Sequence, residues 1–272
     1  MSTILDAIAA HAHERVQAAA ATLPFAELEA LALSRREGKP QFAFEHALRA
    51  PGLSLVCEVK KASPSKGVIA EDFPYLQIAK EYEKAGAQAV SVLTEPKYFL
   101  GSDEYLREIA ATIKIPTLRK DFVVDRRQVY EAAALGAEAV LLICAILDRN
   151  TLAQCLRDCD RLGVSALVET RSEADILAAV DAGARVIGVN NRDLRTFQVD
   201  LGTSARLRRF IPDSAIFVSE SGVKTYADIR ALMEHGAGEH ALDAALIGES
   251  CMRSSDKARY LAELRGAEGN AE

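Results

Sequence analysis

From residue 53 onward the hydrophobic positions fall into short runs, at 53–59, 89–93, 116–119, 139–143, 164–168, 186–189, 215–218 and 244–247. Each run is rich in Val, Ile and Leu and continuous rather than alternating, as expected of strands buried on both faces of a parallel sheet. Each is followed by a stretch with apolar residues at helical spacing, so the pattern predicts eight βα units. That is an α/β fold, a (β/α)8 TIM barrel. An open doubly wound sheet usually has fewer strands and a glycine-rich turn after the first, which this chain lacks. Residues 1–50 read differently: they are Ala-rich, with helical patterns over 4–21 and 25–36 split by Pro24, a linker over 35–40, and a short helix over 42–48 before Pro51-Gly52. The expected organisation is an N-terminal helical extension, residues 1–50, packed on a barrel, residues 51–272.

An internal repeat supports the count. Gly-Ala pairs close helical stretches at 86–87, 136–137, 183–184 and 236–237. The spacing is about two βα units each time, with the Gly serving as a left-handed helix terminator. Composition narrows the partners. A 49% apolar content indicates a sizeable core, and a net charge of −6 argues against nucleic acid or a polybasic membrane patch. The longest apolar run, 139–147, is too short to cross a bilayer, and the first residues lack the basic flank and apolar core of a signal peptide. The five cysteines (57, 144, 155, 159, 251) are irregularly spaced, as reduced thiols of a cytoplasmic protein would be. Cys155 and Cys159 share a helix face, but no second pair or nearby His makes a metal site, so no metal is expected. His11 and His13 read as part of a solvated helix face.

Candidate chemistry gathers at the strand ends. Glu58 and Lys60 are two apart in the first run, so a carboxylate and an ammonium share one face of a buried strand. Charges so placed persist when paired or needed. The third run ends with Lys120-Asp121-Phe122, the fifth with Glu169-Thr170, the sixth with Asn190-Asn191-Arg192-Asp193, the seventh with Ser219-Glu220-Ser221-Gly222 and the eighth with Gly248-Glu249-Ser250. In a barrel these ends converge on the ligand-binding face. Loops after the last two strands commonly hold phosphate, and Ser221-Gly222 and Gly248-Glu249-Ser250 supply glycines for close backbone approach.

These residues carry a family resemblance. The segments Glu58-Val-Lys-Lys-Ala-Ser-Pro-Ser-Lys-Gly67, Ser91-Val-Leu-Thr-Glu-Pro-Lys-Tyr-Phe-Leu-Gly-Ser102, Leu118-Arg-Lys-Asp-Phe122, Leu167-Val-Glu-Thr170, Gly188-Val-Asn-Asn-Arg-Asp-Leu194, Ser219-Glu-Ser-Gly-Val223 and Ile247-Gly-Glu-Ser250 resemble, in order, the indole-3-glycerol-phosphate synthase family. The resemblance implies a decarboxylating and dehydrating lyase of tryptophan biosynthesis. Such an enzyme closes 1-(2-carboxyphenylamino)-1-deoxyribulose 5-phosphate into an indole, with no cofactor or metal. It further implies Lys120 as general acid, Glu169 as base, Lys60 as second ammonium and Glu58 as its orienting partner. Asn190, Arg192 and Ser221 would contact the anthranilate carboxylate or a hydroxyl. Phe99, Phe122, Leu93, Leu141 and Leu194 would line an aromatic slot. Ser63, Gly222, Gly248 and the backbone amide of Glu249 would bind phosphate. The partner is then a small phosphorylated substrate, and the chain a monomer, with a weak homodimer as the alternative. Residues 236–245 make a longer connection into the last strand than is usual in the family, on the face away from the site. The rival readings are another phosphate-binding barrel enzyme of amino-acid synthesis and a non-catalytic phosphate-ligand-binding barrel.

Overall fold

The computed structural model describes residues 3–234 and 242–267. Eight parallel strands close into a barrel: Ser54–Val59, Ala89–Leu93, Thr117–Lys120, Ala139–Ile143, Ser165–Thr170, Val186–Asn190, Ile216–Glu220 and Ala244–Ile247, here called the first to the eighth. Neighbours in sequence are neighbours in space, and the first strand pairs with both the second and the eighth, Val56 facing Ala89 on one side and Leu246 on the other. A small two-residue hairpin, Ala62–Ser63 against Gly67–Val68, forms the loop after the first strand.

Alternation along each strand sorts the apolar residues into two cores. Val56, Leu118, Leu141, Leu167, Val186, Val218 and Leu246 point inward and fill the barrel. Leu55, Cys57, Val90, Val140, Val168, Ile187, Phe217 and Ala245 point outward and pack beneath the surrounding helices. A strand buried on both faces has no polar face to show, which is why the sequence pattern is a continuous run. Helix ends follow local chemistry. The helix Arg149–Leu162 starts at Asp148, whose carboxylate accepts from the amides of Asn150 and Thr151, and stops at Gly163 with φ 64°. Gly86, Gly136 and Gly183 have the left-handed backbone the repeat requires. The fourth pair, Gly236-Ala237, lies outside the described residues, as does most of the longer connection. The eighth strand nonetheless begins at Ala244, where the apolar run begins.

Three helices precede the barrel: α1 (Ile4–Thr22), α2 (Phe25–Arg36) and α3 (Ala43–Leu48). Thr3 and Asp6 cap α1 reciprocally. Phe44 and Leu48 of α3 join the inner core, and Ile8 and Ala12 of α1 join it with Phe122 and Val124. Helix α1 is also tied by charge to the strand ends. Arg15 forks onto the buried Asp121 (2.6 and 3.0 Å), and His11 Nδ1 stands 2.8 Å from Glu95 Oε1. The solvated-face reading therefore holds for His13 and fails for His11, which is partly buried against a fully buried carboxylate. Glu95 also accepts from the amides of Lys97, Tyr98 and Phe99, so one carboxylate joins α1 to the loop carrying Phe99. No single described helix is long and apolar enough to cross a membrane.

Candidate active site

The uppermost inward positions of the first, third, fifth and seventh strands are Glu58, Lys120, Glu169 and Glu220. Barrel interiors ordinarily place branched apolar side chains in such a layer. Here four ionisable groups meet at the floor of a cleft of about 1250 Å³ at the C-terminal end of the strands. Every residue given a role by the family resemblance borders it: Glu58, Lys60, Ser63, Leu93, Phe99, Lys120, Phe122, Leu141, Glu169, Asn190, Arg192, Leu194, Ser221, Gly222, Gly248 and Glu249; Thr170, Asn191, Asp193 and Ser219 at the same strand ends do not.

Lys120 is the hub. Its ammonium lies 3.7 Å from Glu169 Oε2 and 3.9 Å from Glu220 Oε2. Burial presses its pKa down, but Glu169, Glu220 and Glu58 together outweigh burial and raise it above the usual lysine value, so it carries its proton at neutral pH. Glu58 and Lys60 form an ion pair at the end of the first strand. Burial alone would raise the Glu58 pKa; Lys60 and Lys120 reverse that and hold it below the usual range. Asn190 donates to Glu169 Oε1 (3.1 Å) and accepts from the Arg192 amide (2.9 Å). In this state it orients the Glu169 carboxylate rather than offering itself freely to a ligand. Arg192 donates to the Phe197 carbonyl at 3.3 Å.

Glu220, at the end of the seventh strand, has no role implied by the sequence. It is 2% exposed, and its Oε1 has no hydrogen-bond partner. Burial first, then the charge of Glu169, drive its pKa up to about 8 against the pull of Lys120. The site thus balances two ammonium groups with two carboxylates and keeps a third carboxyl neutral. Inward alternation could have found it: Ile216, Val218 and Glu220 share a face as Glu58 and Lys60 do.

At one end of the cleft the phosphate candidates meet. Gly248 precedes a short helix, Glu249–Arg253, with no side chain capping it, so the first-turn amides are open to an anion. Gly222 has φ 96°, and a Cβ there would stand 2.5 Å from Val199 Cγ1. Gly248 has a further duty, since a Cβ there would overlap Glu58 Oε1 and lie 2.6 Å from Lys60 Nζ. Enlarging it would disturb the ion pair as well as the anion cradle. The Glu249 side chain faces Arg253 (3.1 Å) and Lys66 (3.8 Å), leaving its backbone amide as its contribution to an anion. Along the other wall the rings of Phe99 and Phe122 lie 5.8 Å apart, beside Leu93, Leu141 and Leu194. Ile4, Leu5 and Ile8 of α1 complete this apolar wall, a contribution absent from the sequence reading.

The indole-3-glycerol phosphate synthase family model matches residues 5–264. The chain is 51% identical to the indole-3-glycerol phosphate synthase of Ruminiclostridium cellulolyticum, over 97% of this chain and 99% of the relative. It is 50% identical to that of Endomicrobium trichonymphae, over 96% and 99%. Among solved structures it is similar in fold to 3-hexulose-6-phosphate synthase from Salmonella typhimurium, with a TM-score of 0.63 at 13% identity, over 79% of this chain and 98% of that one. With a match along nearly its whole length and half its residues shared with full-length relatives, the chain belongs to the indole-3-glycerol phosphate synthase family.

Proposed function

We propose that the chain converts 1-(2-carboxyphenylamino)-1-deoxyribulose 5-phosphate into indole-3-glycerol phosphate with release of carbon dioxide and water, as a carbon–carbon lyase. The observation that carries this reading is the seat of Lys120, a protonated ammonium at the cleft floor between Glu169 and Glu220 and within the field of Glu58. First, the ring carbon bearing the carboxylate attacks the ribulose carbonyl carbon, and Lys120 gives its proton to the carbonyl oxygen as the C–C bond forms. The carboxylate then leaves as carbon dioxide, and its bonding pair restores the ring. Finally the new hydroxyl departs as water on a proton from Lys60, while Glu169 takes a proton from the neighbouring carbon beside the nitrogen. Glu220, neutral below about pH 8, returns a proton to Lys120.

Binding divides along the cleft. Ser63, Gly222, Gly248 and the Glu249 amide take the phosphate, with Lys66 adding charge. Arg192, whose planar fork suits a carboxylate, and Ser221 take the anthranilate carboxylate. Phe99, Phe122, Leu93, Leu141 and Leu194 hold the ring under the lid formed by α1. Contacts to a carboxylate that leaves as carbon dioxide hold the substrate but not the product, which favours product release, while the rate of the chemical step comes from contacts that strengthen in the transition state. The extension, residues 1–50, works as one unit with the barrel of residues 51–272. The five free thiols, four of them buried, fit a cytoplasmic enzyme, and we assign a monomer. The test is Lys120→Ala: a folded, soluble variant is expected to lose about 10²-fold or more in kcat. Turnover near the wild-type level would remove Lys120 from its role.

A further inference from the structure

The inward positions of the even strands beside this layer include Ser91, in register with Glu58, Gly188, in register with Glu169, and Leu246, in register with Glu220. Gly188 stands in the middle of the sixth strand, in register with Glu169 on one side and Val218 on the other. Glycine weakens a strand there, and its φ lies outside the left-handed range, so no backbone conformation demands it. What demands it is space. A Cβ at Gly188 would overlap Glu220 Oε1 and stand 3.1 Å from both Glu220 Cδ and Leu167 Cδ1. The oxygen in this hollow is the buried one without a hydrogen-bond partner, while Oε2 faces Lys120 at 3.9 Å. Gly188 does not border the cleft and cannot touch substrate.

We infer that Gly188 is a positioning residue, whose missing side chain seats the Glu220 carboxyl at the cleft floor beside Lys120, buried and unpaired on one oxygen. In that seat the carboxyl favours its protonated form, because burial and the charges of Glu169 and Glu58 outweigh the pull of Lys120. The groups facing it are Lys120 from the third strand, Glu169 from the fifth and Glu58, with its partner Lys60, from the first. Neutral Asn190 and Leu246 pair with it in register from the sixth and eighth. Only the catalytic arm of this inference rests on the function proposed above.

The test is Gly188→Ala, alone and combined with Glu220→Asp. The added methyl must push the carboxyl out of its hollow, toward water or closer to Lys120, and either move lowers its proton affinity. Wild type should lose Tm between about pH 4.5 and about pH 8 through this group, and Gly188→Ala should lose less. In turnover, the basic limb of the kcat/KM profile should move down by about one unit with KM little changed. The shorter Asp side chain withdraws from the hollow, so Gly188→Ala should cost much less activity in the Glu220→Asp background. If Gly188→Ala alone does not fold, recovery of folded protein in the double variant supports the clash with Glu220, and no recovery overturns it. Unchanged pH dependence of Tm and equal losses in both backgrounds would also overturn it. A wild type without turnover would count against the proposed function and leave the Tm comparison decisive for Gly188.

Discussion

Glu220→Gln removes the neutral carboxyl while keeping its shape, and its effect on stability follows from burial. The folded pKa of about 8 lies well above the ordinary value of 4.5. A group whose proton is held more tightly in the folded state lends stability that is complete below the unfolded pKa and is lost as pH rises through the folded one. The window is therefore about pH 4.5 to 8, and the ceiling from the two values is on the order of 5 kcal/mol. Glutamine cannot ionise, so the variant should match wild type near the acid end of the window and become the more stable protein above it. For a chain of this size that ceiling corresponds to roughly 10–20 °C in Tm. Thermal melts of both proteins in steps across about pH 5 to 9 read the gap directly. The same variant should turn over more slowly, because a group that costs stability is retained for its chemistry. A gap independent of pH, or a variant less stable than wild type at about pH 9, would refute the reasoning.

Removing residues 1–22 takes away α1, whose fully buried side chains are Ile8 and Ala12, so it should cost about 3 kcal/mol of stability from burial, plus the cost of leaving the buried Asp121 without Arg15. It also strips Glu95 and Asp121 of His11 and Arg15 and opens the wall beside Phe99 and Phe122; KM should rise about tenfold or more, and a large fall in Tm with unchanged KM would reverse the assignment. Arg192→Ala should weaken affinity for the anthranilate end while inorganic phosphate competes as well as before; loss of phosphate competition would exchange the two ends of the substrate in the cleft. Ser63→Ala should do the opposite, weakening phosphate competition by about tenfold as one charge-assisted hydrogen bond is lost, with an unchanged inhibition constant as the contrary result.

Fold and site were legible in the sequence to different depths. The strands begin and end within two residues of their apolar runs, because burial on both faces leaves an uninterrupted hydrophobic signal and a polar residue stops it at the rim. The Glu58–Lys60 pair followed from strand periodicity alone. Glu220 escaped a role because the segment after Val218 reads as a phosphate loop, although alternation aims it inward with Val218. The closing of the cleft by Ile4, Leu5 and Ile8, and the pairing of His11 with Glu95, depend on where α1 docks, and a helical pattern does not encode its docking partner. Gly248 was legible as a glycine next to a phosphate but not as the room for the Glu58–Lys60 pair, since a missing Cβ reveals its purpose only when the neighbouring side chains are in place.

Turnover itself tests the central claim most directly. Purified protein given 1-(2-carboxyphenylamino)-1-deoxyribulose 5-phosphate, without added metal or cofactor, should release carbon dioxide and develop indole fluorescence in equal molar amounts. Absence of product, or carbon dioxide released without the indole, would contradict the account.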